Sequence, residues 1–172
     1  RRDLRIADNA ALFHALKSSS RVQAVFVFDR DILDALPDKA DRRVEFIWRS
    51  VAALKGELER HGASLHVLHG SARTLIPMLA ERLGAVAVYA GRDYEPFAAQ
   101  RDAAVAGALR SAGRSLYLVK DQVIFEQDEV LTAAGTPYHV FTPYKRAWLG
   151  KLNNDYLAAY PVERYLRHLA PM

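Results

Sequence analysis

The sequence predicts an α/β fold, an open doubly wound parallel sheet of the Rossmann-like type with helices on both faces. Short apolar segments rich in β-branched residues alternate four times with amphipathic segments, as in parallel βαβ units with right-handed crossovers. Glycines at positions 62, 84 and 113 follow three of the amphipathic segments, which is typical of helix ends. Residues 1–5 are mostly charged and follow no strand. We therefore expect a first strand upstream and a strand order of 3-2-1-4-5.

The first half of the chain begins with a short helix, which Asp8 or Asn9 is placed to cap and whose inner face carries Leu12, Phe13 and Leu16. Residues 22–28 are predicted to be a buried strand that ends at Asp29. Residues 31–42 are predicted to be a polar connecting loop with room for one helical turn. The next helix has the clearest pattern, since its apolar residues recur at spacings of three and four. These residues are Val44, Ile47, Trp48, Val51, Leu54 and Leu58.

The second half continues the alternation. We predict a short strand over residues 65–68, a helix over 75–83, a strand over 86–90, a helix over 96–112 and a last strand over 115–119. The strand over 86–90 is mostly apolar and contains β-branched residues, which indicates burial on both faces. Pro96 disfavours helical backbone at Glu95, so the helix is expected to begin at or just after Pro96.

The pattern changes after the last strand. Residues 138–152 combine aromatic and basic side chains, which favours a half-buried helix over a nucleic-acid surface. We divide the chain into an α/β domain over 1–152 and an interdomain linker with one weak helix over 153–172. The linker carries four large side chains that we expect to have little within the chain to bury against: Tyr156, Leu157, Tyr165 and Leu166. They predict a further domain downstream.

Composition excludes several classes of protein. The chain has 172 residues, 51% of them hydrophobic, and no cysteine, so it is globular and contains neither a disulfide framework nor a thiolate metal site. The net charge of +4 permits a nucleic-acid partner without establishing one. Neither a membrane span nor a signal peptide is evident, and we expect a cytoplasmic protein. The six histidines are scattered. No metal site, nucleophile elbow or phosphate-binding glycine loop is visible, so the residues favour a binding domain over a catalytic one.

Charged residues follow three strands, counting the one expected upstream. Arg2 and Asp3 come after that strand, Asp29 after the next, and Asp93 with Glu95 after residues 86–90. In a sheet of order 3-2-1-4-5 the first and fourth strands flank the switch point, where ligands bind outside the carboxyl ends. This geometry predicts one acidic crevice. The alternative is that Asp93 and Glu95 only cap a helix and face water, because such caps are common.

Two more residues complete the predicted site. Phe28 offers an aromatic wall beside Asp29, and Arg43, at the start of the long helix, offers a donor. Because carboxylates accept hydrogen bonds, such a crevice suits a planar heteroaromatic ligand with N–H donors.

Several segments, in order, resemble the DNA photolyase and cryptochrome family. They are RRDLRIADN at 1–9, VFVFD at 25–29, RRV at 42–44, RDYEP at 92–96, EVLT at 129–132 and PYHVFTPYKRAW at 137–148. The match covers only the family's amino-terminal α/β domain and the start of the interdomain linker.

The resemblance implies the antenna domain of a light-driven enzyme, a deoxyribodipyrimidine photolyase, which uses reduced FAD to split cyclobutane pyrimidine dimers in DNA. FAD and the damaged base belong to a helical carboxyl-terminal domain absent here, while the α/β domain carries an antenna pigment, a deazaflavin or a folate. The family's deazaflavin pocket matches Arg2, Asp3, Phe28, Asp29, Arg43, Asp93 and Glu95. The folate type has an Asn-Glu pair where this chain has Phe97 and Ala98, so a deazaflavin, or an empty pocket, is favoured.

Two other functions stay open at this point. The same domain occurs in photosensory cryptochromes, which do not repair DNA; more distantly, a stand-alone adenine-nucleotide binder shares the topology but usually has a glycine-rich loop. In either family context the isolated chain is expected to be inactive in repair. Phe141, Tyr144 and Trp148 are expected to share one helical face. If an absent domain covers that face in the full protein, copies of the fragment should self-associate.

Overall fold

Two pairs of parallel strands form the β-structure of the computed structural model, which describes residues 3–172. Strand β1 (Ala24–Asp29) pairs with β2 (Leu65–Gly70), and β3 (Ala87–Gly91) pairs with β4 (Ser115–Val119). Both pairings are those that the order 3-2-1-4-5 requires. Within residues 3–172 no ladder joins the two pairs, so the complete strand order stays a prediction.

Eight helical segments surround the strands in the described part of the chain. They are α1 (Ala10–Ser18), α2 (Arg30–Leu33), α3 (Arg42–Arg60), α4 (Ala72–Arg82), α5 (Pro96–Ser111), α6 (Phe141–Lys151), α7 (Asn154–Leu157) and a 3-10 helix (Val162–His168). The predicted capping of α1 is confirmed, because the side chain of Asn9 accepts a hydrogen bond from the Leu12 amide at 2.9 Å. Helix α5 begins at Pro96, as predicted.

Two apolar clusters hold the helices against the strands. The larger cluster joins α1, α3 and the 3-10 helix to β1 and β2, around the fully buried Leu16 and Leu58. The smaller cluster joins α4 and α5 to β3 and β4, around Leu109. The predicted α/β architecture, with parallel strands covered by helices, is therefore confirmed.

The apolar stripe of α3 is narrower than predicted. Val51 and Leu58 are buried and Ile47 and Leu54 pack against the core, but Trp48 is 60% exposed. Each residue advances about 100° around a helix. Trp48 therefore lies beyond the edge of the stripe that Ile47 occupies, and its inward placement was wrong.

The carboxyl-terminal segment packs on the α/β core. Val162 is 1% exposed, and Tyr165 and Leu166 pack against the larger apolar cluster. Leu169 forms a parallel bridge with Val22. The expectation that Tyr165 and Leu166 have little within the chain to bury against was wrong, because both pack on a cluster built from distant parts of the sequence; the Tyr165 ring, for example, meets Phe13 of α1.

Helix α6 lies on the surface and contains no buried residue. The Trp148 ring meets Phe125 edge-on, with 5.4 Å between the centroids, while Phe141 is 72% exposed. Of the three residues predicted to share one helical face, Trp148 packs most closely. It packs on the segment after β4 rather than on a strand. Whether copies of the chain associate stays a prediction. No helix within residues 3–172 has both the length and the apolar character that a membrane span requires.

Candidate functional site

Asp29 ends β1 and is buried, with 6% of its surface exposed. Its Oδ1 atom accepts hydrogen bonds from the amides of Asp31 and Ala72, both at 3.2 Å, and so fixes the starts of α2 and α4. Its Oδ2 atom is buried and has no hydrogen-bond partner among the described residues. A buried carboxylate oxygen without a donor is costly, so this atom is suited to accept a hydrogen bond from a ligand.

Phe28 and Arg43, two further residues of the predicted site, each contact a residue two positions away. The Phe28 ring packs edge-on against Phe26, with 5.0 Å between centroids, and joins the larger apolar cluster. The Arg43 side chain is 76% exposed and forms an ion pair with Asp41, which raises the pKa of the Arg43 guanidinium. Arg43 is therefore engaged at the start of α3.

Asp3 lies at the carboxyl end of β3. A Cβ atom added to Gly91 would stand 3.1 Å from Asp3 Oδ2 and 3.6 Å from the Cβ of Asp121, so the close approach of these acidic residues depends on the glycine. Leu4 and Ile6, in the same loop, pack in the larger cluster beside β1. The loop over residues 3–9 therefore bridges the two strand pairs at the edge where the predicted site lies.

Asp121 anchors this loop, a role that the sequence reasoning missed. Its side chain is 5% exposed, and both carboxylate oxygens lie 3.1 Å from Arg5 Nη2. Its Oδ1 also accepts a hydrogen bond from the Ala10 amide at 3.1 Å. A signal was available, because Asp121 follows β4 by two residues at the same carboxyl edge as Asp29 and Asp93.

The predicted acidic pair occupies the turn between β3 and α5. Asp93 Oδ1 accepts a hydrogen bond from the Glu95 amide at 3.3 Å, which is a local turn contact. Glu95 is the N-cap residue of α5, yet its side chain makes no capping hydrogen bond. Capping by the Glu95 side chain therefore does not account for this motif. Arg2 lies outside the described residues.

The other two residues of this turn contact the segment after β4. Tyr94 donates a hydrogen bond to Glu126 Oε1 at 3.2 Å, and Arg92 Nε lies 3.1 Å from the same oxygen. Burial, with the nearby Glu126 carboxylate, raises the pKa of Tyr94 to about 12. The Tyr94 hydroxyl is thus held protonated as a donor to Glu126.

Two neighbouring cavities, of about 230 and 410 Å³, lie beside Tyr94 and share Glu126 and Gln127 in their walls. The predicted site residues within 3–172 are absent from both linings. The first cavity has apolar walls, including Val123, Phe125 and Val130. In the second, Lys120 and Arg92 pair with Glu129 and Glu126, so the chain itself neutralises these charges.

The carboxyl edge therefore offers hydrogen-bond acceptors. Asp29 supplies a buried oxygen that has no donor in the described part of the chain. Asp3, Asp93 and Glu95 supply carboxylates around the end of β3 and the turn after it. Such a set can bind ring N–H or amide N–H groups.

Comparisons with known proteins agree on one family. A family model described as DNA photolyase matches residues 1–163. The deoxyribodipyrimidine photo-lyase of Synechococcus sp. is 36% identical over 148 residues, which cover 86% of this chain and 30% of that protein.

Solved structures give the same result. A class III photolyase from Agrobacterium tumefaciens matches with a TM-score of 0.76 at 30% identity, over 88% of this chain and 31% of that one. An archaeal photolyase from Sulfolobus tokodaii, solved with two FAD molecules, matches with a TM-score of 0.74 at 27% identity, over 89% and 34%. The chain thus spans about a third of the length of these relatives. Because the family model covers nearly its whole length, this chain belongs to the DNA photolyase family.

Proposed function

We propose that this chain is the amino-terminal antenna-pigment-binding domain of a light-driven deoxyribodipyrimidine photolyase, which repairs cyclobutane pyrimidine dimers in DNA. The family match over residues 1–163 supports the proposal, as does the name of the relative from Synechococcus sp.. The pigment site is the crevice predicted from the sequence, at the carboxyl ends of β1 and β3.

The observation that carries the pigment site is the buried Asp29 Oδ2 atom, which has no donor among residues 3–172. The other oxygen of Asp29 is bound to one amide in the first turn of each of two helices, so the side chain is fixed in place before any ligand arrives. A ring N–H of a planar pigment would supply the missing donor at low cost in side-chain entropy.

The residues fit a deazaflavin in their donor and acceptor chemistry. Asp29 would accept from the ring N–H, and Asp3, Asp93 and Glu95 would accept from further polar hydrogens of the pigment. Arg2, Phe28 and Arg43 complete the proposed set on the strength of the family motif. When bound, the pigment absorbs light and passes the excitation to a flavin. The Phe97-Ala98 pair, where folate-type members have Asn-Glu, favours a deazaflavin over a folate.

The remaining partners belong to the full-length protein. We place FAD and the damaged DNA in a helical carboxyl-terminal domain, because this chain spans about a third of its relatives. That domain would be the covalent neighbour of the α/β domain in a cytoplasmic repair enzyme.

Binding of 5-deazariboflavin to the 172-residue chain tests the pigment site. We expect a saturable absorbance shift, weakened about 10-fold or more in Asp29→Asn, because the amide presents a donor where the pigment needs an acceptor. Asp38→Asn, an exposed carboxylate in the loop before α3, is the matched control and should bind as the unmodified chain does. Parallel titrations with FAD and a reduced folate identify the preferred pigment. Absence of saturable binding for all three would refute the proposal.

A further inference from the structure

The segment that follows β4 contacts the proposed pigment site at two places. Residues 120–130, here called the clamp segment, contain four acidic side chains: Asp121, Glu126, Asp128 and Glu129. Asp121 reaches the loop that carries Asp3, and Glu126 reaches the turn that carries Asp93 and Glu95. None of the clamp residues is among the seven residues that match the family's deazaflavin pocket.

The first contact fixes the Asp3 loop. Asp121 binds Arg5 with both carboxylate oxygens and the Ala10 amide with Oδ1. Arg5 also donates to the Asp8 carbonyl at 2.7 Å. The side-chain amide of Asn9 donates to the carbonyls of Asp3 and Arg5 at 3.1 and 3.0 Å. The backbone of Asp3 is thereby connected to Asp121 through a continuous hydrogen-bonded loop.

The second contact fixes the turn after β3. Glu126 Oε1 accepts from Tyr94 and pairs with Arg92, and the side-chain amide of Gln122 donates to the Arg92 carbonyl at 2.9 Å. The clamp segment therefore holds the residues on either side of Asp93, at Arg92 and Tyr94.

The clamp segment is itself held in place. Lys120 donates to Glu129 Oε2 at 2.7 Å, and the same oxygen accepts from the Glu126 amide. Lys151 of α6 donates to the Glu129 carbonyl. The two contacts therefore start from one braced segment, so that a shift of the segment would move both acidic groups together.

We propose that Asp121 and Glu126 are positioning residues of the pigment site, which set the distance between Asp3 and the Asp93–Glu95 pair without touching the pigment. The inference rests on the proposed function. It predicts that the geometry of the site depends on two carboxylates that lie behind it, one for each acidic group.

Pigment affinity separates this role from a purely structural one. In the 172-residue chain, Asp121→Asn and Glu126→Gln should each weaken 5-deazariboflavin binding by about 10-fold, the lower end of the range for partners behind the ligands of metal sites. Each variant is measured at temperatures where its unfolding curve shows that it is fully folded. Glu81→Gln, an exposed carboxylate on α4, is the matched control and should leave affinity unchanged.

A local readout verifies that the Glu126 contact has been broken. The pKa of Tyr94, about 12 in the unmodified chain, should fall in Glu126→Gln because the neighbouring negative charge is gone. The tyrosinate absorbance that disappears in Tyr94→Phe identifies this residue among the eight tyrosines. If Tyr94 titrates lower yet both variants bind pigment as tightly as the control, the positioning role is overturned while the pigment site stands. If the unmodified chain binds no pigment, the proposed function fails, and this inference with it.

Discussion

Replacement of Val162 by alanine tests whether the carboxyl-terminal segment belongs to the fold. Val162 is 1% exposed and lies in the larger apolar cluster. The substitution removes two buried methyl groups at about 0.8 kcal/mol each, and the cavity that remains adds to the loss. We therefore expect the free energy of unfolding to fall by about 1.5–3 kcal/mol. This is a large share of the roughly 5–15 kcal/mol that stabilises a typical domain.

Urea unfolding, followed by the fluorescence of Trp48 and Trp148, measures this loss. With a denaturant slope of about 2 kcal/mol/M, the midpoint should decrease by about 1 M. Val86→Ala is the matched control, because Val86 is 79% exposed, and it should change the free energy by less than about 0.5 kcal/mol. Equal midpoints for the two variants would refute the packing of the 3-10 helix against the core.

Three further predictions concern the site and its charges. Asp93→Ala should weaken pigment binding by about 1–3 kcal/mol while the urea midpoint stays near that of the unmodified chain; unchanged affinity would contradict the site. The hydrogen bond from Lys120 is the main cause that lowers the pKa of Glu129 below 4.5. Glu129 should therefore stabilise the fold above pH 4.5 and lose that contribution as the pH falls through its lowered pKa. Glu129→Gln should flatten this part of the acid unfolding profile, and an unaltered profile would argue against the pairing. The isolated chain with added FAD should not repair dimer-containing DNA in light, and repair above a protein-free control would disprove this.

The elements with strong periodicity were predictable from the sequence. β4 has the predicted bounds, α5 agrees within one residue at each end, and α3 contains the whole of the predicted apolar stripe. The exposure of Trp48 was not predictable, because periodicity gives the centre of an apolar stripe but not its width. Burial at the edge of a helix depends on whether a neighbouring element is present, and no single-helix pattern contains that information.

The positions of the candidate site residues in the fold were predictable only where one rule sufficed. The rule that ligands lie at the carboxyl ends of parallel strands pointed to Asp29 and to the turn after β3. It did not show that Arg43 would pair with its neighbour Asp41. A partner two residues away in the sequence competes with any distant partner. Asp121 was missed because its partner, Arg5, lies 116 residues away, and the sequence alone gives no measure of that proximity.

The packing of the last segment against the first helix also determines when the chain can fold during synthesis. The Tyr160 amide donates to Asp8, and a ring nitrogen of His168 lies 2.7 Å from the Leu16 carbonyl, each pair being 152 positions apart. Such contacts form only after nearly all of the intervening residues have left the ribosome. Part of the apolar surface of the early strands and helices therefore stays exposed until the last segment has been synthesised. Contacts of this range slow folding. Synthesis across the 152 positions, at roughly 5–20 residues per second, takes about 8–30 s.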